Sequence, residues 1–137
     1  MRTAIDANIF SAIWSNEPSA PQLAESLAAA RANGALVISG PVFAEIHGYP
    51  RITPDMIWEF LQQASISIDF RLSENVWRET GIRFARYAAR RRKSGGAGPR
   101  GLLSDFIIGA HALIQADCLL TLDRNIFLRD FPDLRLI

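Results

Sequence analysis

The chain has few of the residues that cross-link proteins through disulfides or thiolate-bound metals. Its 137 residues include one cysteine, Cys118, which excludes an internal disulfide and a cysteine-only metal cage. The two histidines, His47 and His111, lie in no Cys/His cluster with the spacing of a zinc site. The composition therefore excludes a disulfide framework and a structural zinc of the usual kind, and it fits a reducing compartment.

Long hydrophobic runs are also missing. No uninterrupted apolar run approaches the roughly 20 residues that a membrane-spanning helix requires. The first ten residues, MRTAIDANIF, contain no long apolar stretch followed by a cleavage site. We therefore expect a cytoplasmic protein. A length of 137 residues with 49% hydrophobic residues predicts one compact domain, residues 1–137, with its own core.

Lysine is almost absent, and arginine carries the positive charge. The formal net charge is +1, and Lys93 is the only lysine among the fifteen basic residues. Four of these residues are consecutive, and we call them the basic run: Arg90, Arg91, Arg92 and Lys93. The glycine-rich segment 94–101, which contains Arg100, follows directly. The basic run suits a solvated helix face, but the planar arginine side chain also suits phosphate binding.

Short apolar segments alternate with longer amphipathic ones along the whole chain. This alternation predicts an α/β domain in which helices flank a central parallel sheet. The five predicted strands are residues 3–6, 35–39, 65–70, 118–123 and 134–137. The predicted helices are residues 8–15, 20–32, 41–48, 54–64, 73–92 and 104–116.

Four of the fourteen acidic residues stand out because apolar or small residues surround them. Asp6 and Asp123 end predicted strands, Glu45 lies about one turn into a predicted helix, and Asp105 opens another. In a parallel sheet with crossover helices, the ends of strands and the starts of the following helices share one edge, where ligands bind. The sequence therefore predicts that these four carboxylates meet at that edge.

Four carboxylates at one place repel one another unless a cation compensates their charge. Oxygen ligands without a histidine or cysteine cluster favour Mg²⁺ or Mn²⁺ over zinc. Two such ions about 3.5–4 Å apart are the usual device for displacing a phosphodiester. We therefore predict that the four acids are both metal ligands and catalytic residues. For Asp105 and Glu45, a favourable interaction with the positive end of a helix is the alternative explanation.

The acidic motifs together are similar to those of a known family. The sequence has DAN after the first strand, AE in the helix after the second, SDFIIGAHAL around Asp105, and LTLD ending at Asp123. In this order and spacing they resemble a PIN-domain ribonuclease, and most closely the VapC-type toxins of bacterial toxin–antitoxin systems. The resemblance runs from Asp6 to Asp123 and implies a three-layer PIN-like domain around the five-stranded sheet.

The resemblance also implies an activity and partners. It implies endonucleolytic cleavage of RNA that depends on Mg²⁺ or Mn²⁺, a homodimer, and inhibition by a small antitoxin protein. Asn8 and Thr121 match polar positions that support the acidic cluster in the family. For RNA binding we predict that the strand follows the basic run toward the acids, with these residues in contact: Arg90, Arg91, Arg92, Lys93 and Arg100.

Two other functions remain open from the sequence. A receiver-like phosphorylation switch also has an acidic pocket at this sheet edge, and Asp69 could be its phosphoacceptor. That fold needs a lysine after the fifth strand, whereas the only lysine here lies in the basic run. A PIN scaffold that binds RNA or a protein without cleaving it would be favoured by loss of one of the four acids, and none is lost.

Overall fold

Four parallel strands form the sheet of the computed structural model, which describes residues 1–95 and 102–137. The strands are β1 (Arg2–Ile5), β2 (Ala35–Ser39), β3 (Ile66–Asp69) and β4 (Cys118–Leu120), in the order β3-β2-β1-β4. In the register of the sheet, Thr3 of β1 lies opposite Leu36 of β2 and Cys118 of β4. The first strand is therefore central, and residues at its carboxyl end lie between the ends of β2 and β4.

Seven helices connect these strands within the described residues. They are α1 (Ala7–Trp14), α2 (Ala20–Ala32), α3 (Gly40–Ile46), α4 (Pro54–Gln63), α5 (Glu74–Lys93), α6 (Leu103–Gln115) and α7 (Arg124–Asp130). The six predicted helices all form, with bounds within two residues of those expected. Local capping explains several of the starts: the Thr53 side chain accepts a hydrogen bond from Met56 N at 3.2 Å, and Pro54 occupies the first helical position.

Helices cover both faces of the sheet. Val37 and Ile38 are consecutive residues of β2, so their side chains point to opposite faces, and both are fully buried. A strand that is buried on both faces is typical of parallel sheets with crossover helices on each side. The predicted α/β architecture of three layers is therefore confirmed. None of the helices in residues 1–95 and 102–137 is long and apolar enough to cross a membrane.

The fifth predicted strand is wrong. Residues 134–137 make one isolated parallel bridge, Leu119 with Leu136, beside β4. Two backbone hydrogen bonds of 2.9 Å accompany it, from Leu119 N to Arg135 O and from Ile137 N to Leu119 O. The neighbouring strand β4 has only three residues, and residues 134–137 add this one bridge and no strand to the sheet.

The fourth strand is also shorter than predicted. It ends at Leu120 rather than at residue 123, and α7, which the sequence analysis missed, begins at Arg124. The hydroxyl of Thr121 accepts a hydrogen bond from Asp123 N at 3.0 Å, and this local contact turns the chain out of the sheet. Asp123 therefore immediately precedes a helix instead of ending a strand.

A close approach joins α6 to the end of α7. Gly109 of α6 is buried, and a Cβ atom at this position would lie 2.6 Å from the ring of Phe131. Glycine inside a helix costs about 1 kcal/mol relative to alanine, and here it makes room for the aromatic ring. Phe131 also packs against Phe106, with ring centroids 5.9 Å apart. The start of α6, which carries Asp105, is thereby held against the segment that follows β4.

Candidate active site

Asp6 lies at the point where the central strand β1 ends and α1 begins. Its backbone N–H donates to Leu120 O of β4 at 3.0 Å, and its side chain is the N-cap of α1. One carboxylate oxygen, Oδ1, accepts from Ala7 N at 2.7 Å. The other, Oδ2, accepts from Thr121 Oγ1 at 2.8 Å and Asn8 Nδ2 at 3.2 Å. These bonds fix the orientation of a carboxylate that is only 4% exposed.

Asn8 and Thr121, the two predicted supporting residues, both contact Asp6. The amide nitrogen of Asn8 also donates to Thr121 Oγ1 at 3.3 Å. The amide oxygen of Asn8 accepts from Leu122 N at 3.2 Å, in the segment that leads to Asp123. The two side chains therefore connect the start of α1 to the turn after β4, and they hold Asp6 and Asp123 at the same edge of the sheet.

Asp105 lies in the first turn of α6, as predicted. No side chain caps this helix, since Leu102 occupies the N-cap position and Ser104 lies inside the helix. The carboxylate of Asp105 is half-buried and makes no ion pair or hydrogen bond within the described residues. The helix start favours an acid here, but burial without a cation disfavours its charge.

Glu45 differs in position from the prediction. It is the sixth of the seven residues of α3, so it lies in the last turn of a short helix. The carboxyl-terminal end of a helix carries partial negative charge, and an acid there gains nothing from the helix dipole. The alternative explanation of Glu45 as a partner of a positive helix end is therefore wrong. Its side chain is exposed, as is that of Asp123.

The four carboxylates repel one another in the folded chain. Burial, followed by the charges of Asp6, Glu45 and Asp123, raises the pKa of Asp105 to about 6. Burial also raises the pKa of Asp6, although its hydrogen bonds from Thr121 and Ala7 oppose this, and the charges of Glu45 and Asp123 add to the increase. The structure thus brings all four predicted acids together at the carboxyl edge of the sheet.

The donor set of this acidic site suits a hard divalent cation. It offers carboxylate oxygens only, the ligands that Mg²⁺ and Mn²⁺ prefer, and no cation of the described chain pairs with Glu45, Asp105 or Asp123. In residues 1–95 and 102–137, no three His, Cys, Asp or Glu side chains converge to the spacing of metal ligands. The carboxylates are therefore close enough to influence one another's charge, but they do not converge on a single metal position.

The predicted RNA-binding residues divide into different environments. Arg90 forms an ion pair with Asp130, and Arg91 is half-buried. Arg92 and Lys93 are exposed. Arg100 lies outside the described residues. Asp130, which looked like an ordinary surface acid in the sequence, has a side chain that is only 2% exposed.

Asp69 has a structural role that the sequence analysis missed. Its Oδ1 accepts from Arg2 Nη2 at 2.6 Å, and its Oδ2 lies 2.7 Å from Nε2 of the fully buried His111. These partners lower the pKa of Asp69 against the opposing effect of burial. Gln115 Nε2 also donates to Oδ2, at 3.3 Å. A carboxylate occupied by three partners is not an accessible phosphoacceptor, so the structure argues against Asp69 in that role and against the receiver-like alternative. The only sequence signal for the pair is a histidine within an apolar helix.

Comparison with known families agrees with this geometry. The family model of the PIN domain matches residues 3–132, nearly the whole chain, so the protein belongs to the PIN-domain family. The predicted family is therefore confirmed.

Two solved structures resemble the fold over the full length of this chain. One is VapBC2 from Rickettsia felis bound to a DNA fragment from their promoter, with 23% identity, a TM-score of 0.65, and coverage of 100% of this chain and 98% of that one. The other is VapBC-1 from nontypeable Haemophilus influenzae, with 24% identity, a TM-score of 0.65, and coverage of 100% and 97%. A search of curated proteins finds no match.

Proposed function

We propose that this protein is an endoribonuclease that depends on Mg²⁺ or Mn²⁺ and that acts as the toxin of a toxin–antitoxin pair. The observation that carries the proposal is the acidic site of a PIN domain in which three of four coupled carboxylates have no partner among the described residues. Such a cluster is costly to the fold, and a divalent cation would relieve the repulsion.

The four acids have distinct positions for this task. Asp6 is held rigidly by its three hydrogen-bond donors, so it would present a preformed ligand. Asp105, Glu45 and Asp123 approach from three other elements and would complete the ligand set. A pair of divalent ions held by these carboxylates would supply an activated water molecule and would stabilise the leaving oxygen of a phosphodiester. No histidine needs to act as a base, and His111 is engaged with Asp69.

The toxin role is supported by the likeness to VapC-type proteins. Both similar solved structures are named VapBC, and their folds cover the whole of this chain. The proposal therefore includes a small antitoxin as partner, a homodimer and a cytoplasmic location, as the resemblance of the sequence implies. RNA is preferred over DNA as substrate on the same ground.

The direct test is cleavage by the purified protein. We would incubate it with tRNA, mRNA and single-stranded DNA in the presence of Mg²⁺, Mn²⁺ or EDTA, and map the ends of the products. We expect RNA to be cut only with a divalent ion. The variant Asp105→Asn should not cut RNA. Its matched control is Asp55→Asn, since Asp55 also lies in the first turn of a helix but is exposed on α4, outside the acidic site.

A second function, binding without cleavage, is favoured by one observation. No three potential ligands in the described part of the chain converge to metal-binding spacing. If RNA binds but remains intact with either ion, and if the wild-type protein and Asp105→Asn bind Mn²⁺ equally weakly, the protein is a non-cleaving scaffold and the nuclease proposal is wrong.

A further inference from the structure

Two adjacent cavities lie between α5 and α7, and arginines line both. The larger, of about 310 Å³, includes Arg86 and Asp130 in its wall, and the other, of about 300 Å³, includes Arg91. Arg90 and Arg129 line both cavities, so the two form one continuous surface feature. We call it the arginine groove, and its four defining residues are Arg86, Arg90, Arg91 and Arg129.

A buried acid orients two of these arginines. The side chain of Asp130 is 2% exposed, whereas those of Arg90 and Arg129 are 45% and 56% exposed. Asp130 Oδ1 pairs with Nη2 of Arg90, and Asp130 Oδ2 accepts from Nε of Arg129 at 3.2 Å. Each of these contacts occupies one nitrogen of a guanidinium that carries five N–H donors. Both side chains are therefore anchored at one nitrogen and keep further N–H donors.

Arg83 lines the larger cavity and uses four of its five N–H donors within the fold. It makes two bonds to the Asp133 carboxylate, at 2.7 and 2.8 Å, and donates to Glu79 at 2.7 Å and to Asp130 O at 3.0 Å. Arg86 is the opposite case. It lies three residues further along α5, is exposed, and has no ion pair or hydrogen bond within the described residues. Within the described part of the chain, the groove thus contains the exposed guanidinium of Arg86, which has no ion pair, beside those of Arg90 and Arg129, which Asp130 orients.

The groove is next to the acidic site. Tyr87, which lines the smaller cavity, packs against Phe106 with ring centroids 5.4 Å apart, and Phe106 directly follows Asp105. On the other side, Arg129 lies six residues after Asp123, which is roughly 9 Å along α7 at 1.5 Å per residue. A strand in the groove would therefore lie about 9 Å from the start of α7, where Asp123 is.

We propose that the arginine groove binds consecutive phosphate groups of single-stranded RNA and directs the strand to the acidic site. This inference rests on the proposed function for the identity of the substrate. Guanidinium groups with free N–H donors match the oxygen pairs of a phosphate. Four carboxylates repel a phosphate backbone, so positive charge close by is needed to hold the strand there. The contacts are made by Arg86, Arg90 and Arg129, two of which lie outside the basic run.

The test compares two double variants with the same loss of charge. On an Asp105→Asn background in EDTA, we would measure the affinity for a fluorescein-labelled single-stranded RNA by anisotropy over a series of NaCl concentrations. Arg86→Gln with Arg129→Gln removes two groove contacts, and the negative slope of log affinity against log salt should become shallower by roughly 1.4, at about 0.7 per phosphate contact. Arg31→Gln with Arg135→Gln is the control, because both residues are exposed, lie outside the basic run and line neither cavity, and its slope should stay near that of the parent.

Equal slopes in the two double variants would overturn the inference, because the basic charge would then act without regard to position. The single variant Arg86→Gln guards against a folding defect, since Arg86 is exposed and unpaired in the described chain, and its slope should become shallower by about 0.7. An unchanged slope in a folded Arg86→Gln variant also overturns the inference.

Two further measurements distinguish RNA binding in the groove from binding of an acidic protein segment and from the nuclease proposal. A labelled polyglutamate peptide is titrated against the same variants, and if the groove variants weaken only the peptide, the groove binds an acidic protein segment and the RNA inference is wrong. Cleavage by the wild-type protein is assayed separately with Mn²⁺. Absence of cleavage together with the expected loss of slope would refute the nuclease and leave the groove standing.

Discussion

The acidic site and the arginine groove each collect charges of one sign, but they treat those charges differently. In the groove, a buried acid lies between two arginines and orients them. In the acidic site, three of the four carboxylates have neither a hydrogen-bond donor nor a cation as partner among the described residues. Paired charges are an internal part of a fold, whereas unpaired clustered charges need a partner from outside. The contrast supports the proposal that a cation binds at the acidic site.

Two aspartates illustrate the difference. Burial and three neighbouring carboxylates raise the pKa of Asp105 to about 6. The guanidinium of Arg83 instead lowers the pKa of Asp133 below its usual value. The residue type is the same, so the direction of the shift reports the surroundings. Like charges repel one another in the acidic site, whereas the acids of the groove are neutralised by arginines.

The largest expected effect is loss of cleavage in Asp105→Asn. Asparagine keeps the shape of the side chain but removes the charge that would hold an ion. Cleavage should fall by more than about 100-fold, the upper end of the loss when a residue only supports a metal ligand. RNA cleavage rates with Mn²⁺ measure it, and Asp55→Asn should remain close to wild type. A fully active Asp105→Asn would return this residue to the role of a helix-opening acid.

The second prediction concerns Asp6 and Asp123. Hydrogen bonds of Asn8 and Thr121 hold these two acids at the same edge of the sheet. Each single Asn variant should lose most activity, and the double variant should be little worse, since residues that act as one unit are strongly non-additive. Rates of the two single variants and the double variant test this. Losses that multiply would show that the two acids serve separate functions.

A third prediction addresses the buried acid of the groove. Asp130→Asn should lower the free energy of unfolding by about 1–2 kcal/mol, because a buried acceptor of two guanidinium groups is lost while both arginines can still reach water. Urea denaturation measures it. Glu74→Gln is the matched control, since the pair of Glu74 with Arg78 is exposed on both sides and such pairs contribute about 0–1 kcal/mol. Equal losses in the two variants would contradict the assignment of Asp130 as an anchor.

The smallest expected effect is a pH-dependent change in stability. Because the pKa of Asp105 is about 6 in the folded chain and near 3.8 in the unfolded chain, the folded chain keeps a proton that the unfolded chain loses between about pH 4 and 6. Its contribution to stability is therefore complete at low pH and is lost as pH rises through this range. In EDTA, Asp105→Asn should melt above wild type at pH 7.5 and close to it at pH 4, by calorimetry. A difference of the same size at both pH values would argue against repulsion as its cause.

Much of this fold could be predicted because its signals are local. The alternation of apolar segments located the helices to within two residues, and the positions of Asp6, Asp105 and Asp123 relative to those segments placed them at one edge. The errors arose where few residues carry the signal. Residues 134–137 look like a strand but make one bridge. The seven-residue α7 is too short to show a clear helical period, and it follows closely on the apolar segment of β4.

The sequence by itself determined the class of fold and the set of acids, because periodicity and strand order depend on neighbours along the chain. Only the tertiary structure decided which charges are paired. Arg90 and Asp130 are forty residues apart and meet through the packing of α5 beside α7, and no local pattern reports that contact. The same holds for Asp69 and His111. Whether a charged side chain is neutralised inside the fold or left for a ligand depends on distances across elements, which spacing along a sequence does not contain.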